Sequence, residues 1–167
     1  MSTSLRSLEH RASLRWMPLV LRWFMVLAIL GCAHTTPKPE KPAVVNVMLS
    51  NAPSAEPGKV HLTFQVQSDV EHRLCIWHTP LEGIASNILD VHDSSGNLVD
   101  FQGMMLKRGQ PRESDYVTLQ PGQPLSATFE VTDEYAVTAG ETYTVKFIGS
   151  PSINGLPDSN VVEIVVP

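Results

Sequence analysis

Cysteine is scarce in this chain. Only Cys32 and Cys75 are present, too few for a disulfide-stapled scaffold. Positive charge is also short: 12 Lys and Arg stand against 17 Asp and Glu, for a formal charge of −5. Phosphate-driven nucleic-acid binding needs clustered cations, so that class is excluded. No His-Glu-x-x-His occurs, which removes the usual zinc pair of metalloproteases. No Gly-x-Ser-x-Gly elbow and no glycine-rich phosphate cradle occur either. No apolar run is long enough to span a bilayer, which takes roughly 20 residues; the uncharged stretch 23–32 is much shorter.

What is present begins with a leader. Arg6, Arg11, Arg15 and Arg22 outnumber Glu9 and precede the apolar run 23–30. A basic front, a short greasy run and a small residue at its end are the parts of an export signal. A buried core helix is the competing reading, and the charged front and polar rear weigh against it. Ile29-Leu30-Gly31-Cys32 resembles the lipobox of bacterial lipoproteins. That resemblance implies cleavage after Gly31, so that 1–31 is a signal peptide, and lipid on Cys32. Such a group anchors a protein to a membrane without spanning it. Ala33 in place of an aspartate resembles outer-membrane sorting, so the expected location is the cell envelope, outer membrane, periplasmic side. Translation starts at Met1 or at Met17. Removing the leader's net +3 from −5 leaves the remainder at −8, a charge that keeps an exported domain soluble. With Cys32 acylated, Cys75 has no intrachain partner and reads as a small buried hydrophobe.

Residues 32–43 form a tether. Pro37, Pro39 and Pro42 favour extended backbone, so its task is spacing. From 44 to 167 the pattern changes to alternation. Val60, Leu62, Phe64 and Val66 alternate with His61, Thr63, Gln65 and Gln67, which predicts a strand with one wet face. Similar signals predict strands near 45–49, 73–78, 88–92, 98–102, 116–119, 125–131, 142–148 and 161–166. The pair 88–92 and 98–102 flanks a turn at 93–97 and reads as a hairpin. Thr132 or Asp133 is expected to cap a single helical turn. About 7–9 short strands without a long helix predict an all-β, antiparallel, immunoglobulin-like β-sandwich, with a barrel as the alternative. The segment Ala139-Gly-Glu-Thr-Tyr143 resembles the corner before the penultimate strand of immunoglobulin-like domains, where a tyrosine hydroxyl bonds back to the main chain.

Candidate chemistry is thin. His72 and His78 are an even number of residues apart, so one strand face could hold both, but two ligands do not make a metal site. Glu82, Asp90 and Asp93 read as solvated carboxylates. No metal, cofactor, small-molecule substrate or catalytic residue is expected. Met104, Met105 and Leu106 either fold inward as a satellite core or form an exposed contact patch, since methionine-rich surfaces adapt to partners. Lys107-Arg108 is the one adjacent basic pair of the acidic part, and it reads either as a solvated loop tip or as part of a contact.

Three segments carry a further resemblance: Trp77-His-Thr-Pro-Leu-Glu-Gly83; Lys107-Arg-Gly-Gln-Pro111 running to Asp115-Tyr-Val117; and Leu119-Gln-Pro-Gly122 through Tyr135 to Gly140-Glu-Thr-Tyr143. In this order they resemble the N-terminal pro-domain of bacterial deuterolysin-like, peptidyl-Lys metalloendopeptidases, over roughly 44–166. In that family a zinc catalytic domain follows; here the sequence stops at Pro167. The expectation is a pro-domain without its enzyme, not itself a protease. The resemblance implies a protein partner, an exported metallopeptidase that the chain inhibits or helps to fold. Lys107 would enter an acidic specificity pocket, Arg108 would add a second charge, and Met104 and Met105 would add apolar contact. An envelope structural or interaction module with no peptidase target is the alternative.

Overall fold

In a computed structural model, the structure describes residues 44–167. The signal segment, Cys32 and the tether lie outside the described residues. Eight strands form: β1 (Val45–Ala52), β2 (His61–Ser68), β3 (His72–Cys75), β4 (Leu89–Asp93), β5 (Tyr116–Leu119), β6 (Leu125–Glu130), β7 (Thr142–Phe147) and β8 (Val161–Val165). Every pairing is antiparallel. One sheet runs β1-β2-β6 and the other β4-β7-β8, with β3-β5 as a separate ribbon. That ribbon continues β2-β6 in register. Val66 faces Leu125 in one and His72 faces Leu119 in the other, an equal step along both strands.

The alternation read from the sequence builds the core. Leu62, Phe64 and Val66 point from β2 into the sandwich and are wholly buried. Val145 and Phe147 on β7 and Val91 on β4 meet them from the other sheet. The Phe64 and Phe147 rings cross edge to face, 5.0 Å apart. Burial of each such side chain contributes about 1.5–3 kcal/mol, and the two sheets thereby hold each other. Where β1 approaches β8, Asn160 closes the seam. Its side chain accepts from Leu49 N–H at 2.8 Å and donates to Leu49 O at 3.0 Å, so one amide stands in for a strand partner. Cys75 is buried, with 2% of its surface exposed.

Two tyrosines pin the chain between sheets. The Tyr143 hydroxyl accepts from Thr138 N–H at 2.9 Å, the bond expected of that corner. The Tyr135 hydroxyl donates to Asn87 Oδ1 or Leu89 O and accepts from Leu89 N–H. Burial pushes the Tyr135 phenol up to about 12.

Three local expectations are corrected. The third strand ends at Cys75 rather than at residue 78, because the chain turns at His78, whose φ is +55°. The second arm of the predicted hairpin is not a strand. The turn at 93–97 forms, with Asp93 N–H donating to Asn97 O, but beyond it only the isolated bridges His92–Leu98 and Phe101–Tyr135 remain. At 132–135 a turn does form, through Glu134 and Tyr135 N–H to Val131 O. Neither Thr132 nor Asp133 caps it. The Glu130 carboxylate accepts from both of their N–H groups.

Candidate functional site

The β3-β5 ribbon ends in a corner. Ile76 N–H still bonds Asp115 O, and then the chain departs. The Thr79 hydroxyl donates to Ile76 O at 2.6 Å and accepts from Leu81 N–H. It thereby caps the 3-10 turn Pro80–Glu82, which starts on proline and closes at Gly83. Gly83 has φ +85°, a conformation open to glycine at little cost. His78 is the one non-glycine residue with positive φ among the described residues. Such a residue costs on the order of 1–3 kcal/mol and persists where its surroundings fix it. Here they do: Glu82 Oε1 accepts from His78 N–H at 2.9 Å, and Asn154 Nδ2 donates to His78 O at 3.2 Å.

Arg108 comes from the far loop and locks the corner. Its guanidinium meets Glu82 Oε2 at 2.7 Å and lies over the Trp77 ring, 5.0 Å from the centroid. Beside it the pattern repeats: Arg73 sits 3.8 Å above the Tyr116 ring and reaches Glu113 at 2.7 Å. Asn154 ties in a third segment. Its amide donates to Trp77 O and His78 O and accepts from Ser150 and Leu156 N–H. Gly149 begins that loop, and a Cβ there would run into the Leu156 carbonyl.

Two hollows open on this face. One, of about 480 Å³, is lined by Trp77, Tyr116, Leu106, Pro111 and Ile153 among others. The second, of about 330 Å³, shares Trp77 and Arg108 but is bounded by Gln110, Arg112 and Ser114.

Met104 and Met105 are exposed, at 70% and 69%, and Leu106 at 46%. They do not fold inward; the satellite-core reading is set aside. Lys107 is exposed. Arg108 is not a loose second charge, because Glu82 neutralises it and it is only 21% exposed. His72 and His78 do not share a strand face; His72 is in β3 and His78 is in the corner. Glu82, Asp90 and Asp93 each hold a structural partner: Arg108, His92 and the turn amides of Ser95 and Asn97 respectively. No group of three or more His, Cys, Asp or Glu side chains suited to a metal occurs among the described residues.

Among the described residues, the one arrangement that resembles nucleophile chemistry is incomplete. His78 Nδ1 lies 2.9 Å from the Ser86 hydroxyl, but the nearby Glu82 carboxylate serves the backbone of His78 and Arg108. An activated serine needs its base oriented by a third group. What the face offers instead is contact: aromatic rings, flexible thioethers and unpaired positive charge.

An extracellular protease of Aeromonas hydrophila is 30% identical to the chain over 95 residues, which is 57% of this chain and 27% of the protease. This chain is similar to part of a protease. It spans about a quarter of that relative's length, 27%. No family model matches the chain.

Proposed function

We propose that the chain is a non-catalytic envelope protein, held by lipid on Cys32 at the periplasmic side of the outer membrane. It binds an exported metallopeptidase and masks it or assists its folding, as a peptidase pro-domain does. One observation carries this reading. Two of the three segments that resemble such pro-domains, 77–83 and 107–117, meet on a single face through Arg108, Trp77 and Glu82. The partial similarity to an extracellular protease supports the same direction. Lys107, exposed beside Met104 and Met105, is suited to an acidic pocket that recognises lysine, and the lone Ser86–His78 bond leaves contact as the mode of action.

The test is recovery of the full chain from detergent-solubilised envelopes. A metallopeptidase is expected to co-purify, and acyl chains are expected on Cys32. Recovery of a soluble, unacylated cytosolic species would contradict the placement. Recovery with cell-wall assembly components alone would contradict the peptidase reading.

A further inference from the structure

We infer that the Trp77 face is a docking groove for an acidic, apolar segment of the partner, with a large apolar side chain in the hollow beside Trp77 and carboxylates on Lys107 and Arg112. The inference deepens the peptidase-binding reading and rests on it for the partner's identity.

The charge pattern carries it. Among the described residues, Lys59 pairs with Asp133, Arg73 with Glu113, Arg108 with Glu82 and Lys146 with Asp158. The remaining two cations, Lys107 and Arg112, have no ion-pair partner. Both are exposed, and both flank Arg108 on one loop. In a part of the chain that is otherwise strongly acidic, the unneutralised positive charge thus lies on one loop: Arg112 lines the smaller hollow, and Lys107 stands between Leu106 and Arg108, which line the larger. Of the acids nearby, Glu82 and Glu113 are in ion pairs, while Asp115, which lines the smaller hollow, accepts from Arg112 N–H at 2.7 Å and keeps its charge. None of the three forms an ion pair with Lys107 or Arg112. Opposite charges steer an encounter and fix its register.

The shape agrees. The larger hollow, about 480 Å³, has apolar side chains in Trp77, Leu106, Pro111 and Ile153 and polar ones in His78, Arg108 and Ser152. That volume is enough to seat a leucine or phenylalanine side chain. The smaller hollow adjoins it across Trp77 and Arg108 and is bounded by Arg112 and Asp115. An extended segment lying across both therefore meets the apolar side chains first and the Arg112 guanidinium, beside Asp115, next. The walls are fixed beforehand by the Arg108–Glu82 pair and by Asn154, so little ordering remains to be done on binding.

Trp77 reports on the groove. Of the three tryptophans, Trp16 and Trp23 fall in the segment removed with the signal peptide, so Trp77 is the one indole of the acylated chain. The probe is a pentapeptide, Glu-Glu-Phe-Glu-Glu with blocked ends, against its Lys-Lys-Phe-Lys-Lys counterpart. The acidic peptide is expected to shift Trp77 emission saturably, and the basic one is not. Lys107→Glu with Arg112→Glu is expected to weaken the acidic peptide by about tenfold, as reversal of two exposed pairs should. One molar salt is expected to weaken it similarly. The urea midpoint of the double variant should stay unchanged, since neither side chain has a partner to lose. Equal shifts by both peptides, or undiminished binding to the double variant, would overturn the inference. Retention of a co-purifying metallopeptidase by that double variant would also overturn it while leaving the broader reading intact. Docking of the acidic peptide in a chain that recovers no peptidase would support the groove and remove only the peptidase.

Discussion

Arg108 meets Glu82 at 2.7 Å, and that pair joins the corner after β3 to the loop before β5. Both side chains are largely shielded, at 21% and 10% exposure, so solvent screens the pair less than it would a surface bridge. Arg108→Ala leaves the Glu82 carboxylate with His78 N–H as its remaining donor and strips the Trp77 ring of its cover. The loss should be about 2 kcal/mol. Urea unfolding followed by Trp77 emission checks it, with a red-shifted native spectrum as the second sign. Arg108→Lys should recover only part, because an ammonium lacks the flat fork that both contacts the carboxylate and lies over the ring.

Asn154 makes a sharper case. Its amide nitrogen serves two carbonyls and its oxygen two N–H groups, and it is buried at 5% exposure. Asn154→Asp turns the donor into a charge aimed at Trp77 O and His78 O. A loss of about 3 kcal/mol is expected, with faster amide exchange through 150–156. Asn154→Ala should cost less, because it buries no charge. Equal costs for the two would contradict this account.

The tyrosine corner gives a smaller, cleaner number. Tyr143→Phe removes the acceptor for Thr138 N–H and little else, so about 1 kcal/mol should be lost. Tyr135→Phe should cost more, because that hydroxyl bonds both the N–H and the carbonyl of Leu89 and also faces Asn87. The order of the two urea midpoints is the measurement.

The corner was legible in advance because its parts are close in sequence: Gly140 and Tyr143 sit in one short stretch. The strands were legible for a related reason. Alternation at Val60 to Val66 and at Thr142 to Phe147 records which face is wet, and needs no knowledge of the partner strand. The site was not. Arg108 reads as a free cation until Glu82 is found beside it, and nothing in the sequence around Asn154 marks Trp77 O as the partner of its amide. Such contacts join distant segments, and neither periodicity nor composition encodes them. The early end of β3 has a local signal in Thr79-Pro80. A capping threonine before proline marks a turn start, and the strand pattern through Trp77 competes with it.

The turn at 93–97 should be pH-sensitive on both sides. His92 Nδ1 faces Gly96 O at 3.0 Å and Nε2 faces Asp90 at 2.9 Å. Both neighbours are acceptors, so both nitrogens donate only in the imidazolium. The Gly96 carbonyl first, and then Asp90 and Asp93, raise the His92 pKa. Lys146, across the sheet from Asp90, is engaged by Asp158. A raised folded value means the contribution is full below His92's ordinary range and is lost as pH climbs through the raised value. Asp93 works oppositely. Asn97 and then Ser95 hold its pKa down, so its contribution is present above the ordinary carboxylate range and fades as pH falls through the lowered value. Amide protection at 95–97 should therefore peak between the two. His92→Gln should flatten the alkaline limb alone.

The proposed role of the chain is touch without reaction. The direct measurement is titration of the purified, acylated full chain into an exported, lysine-cleaving metallopeptidase, with hydrolysis of a lysyl peptide as the readout. The predicted result is a stoichiometric change in peptidase rate, no hydrolysis by the chain alone, and a weaker effect for Lys107→Ala. An unchanged rate at every ratio with no complex on sizing, or hydrolysis by the chain itself, would contradict it.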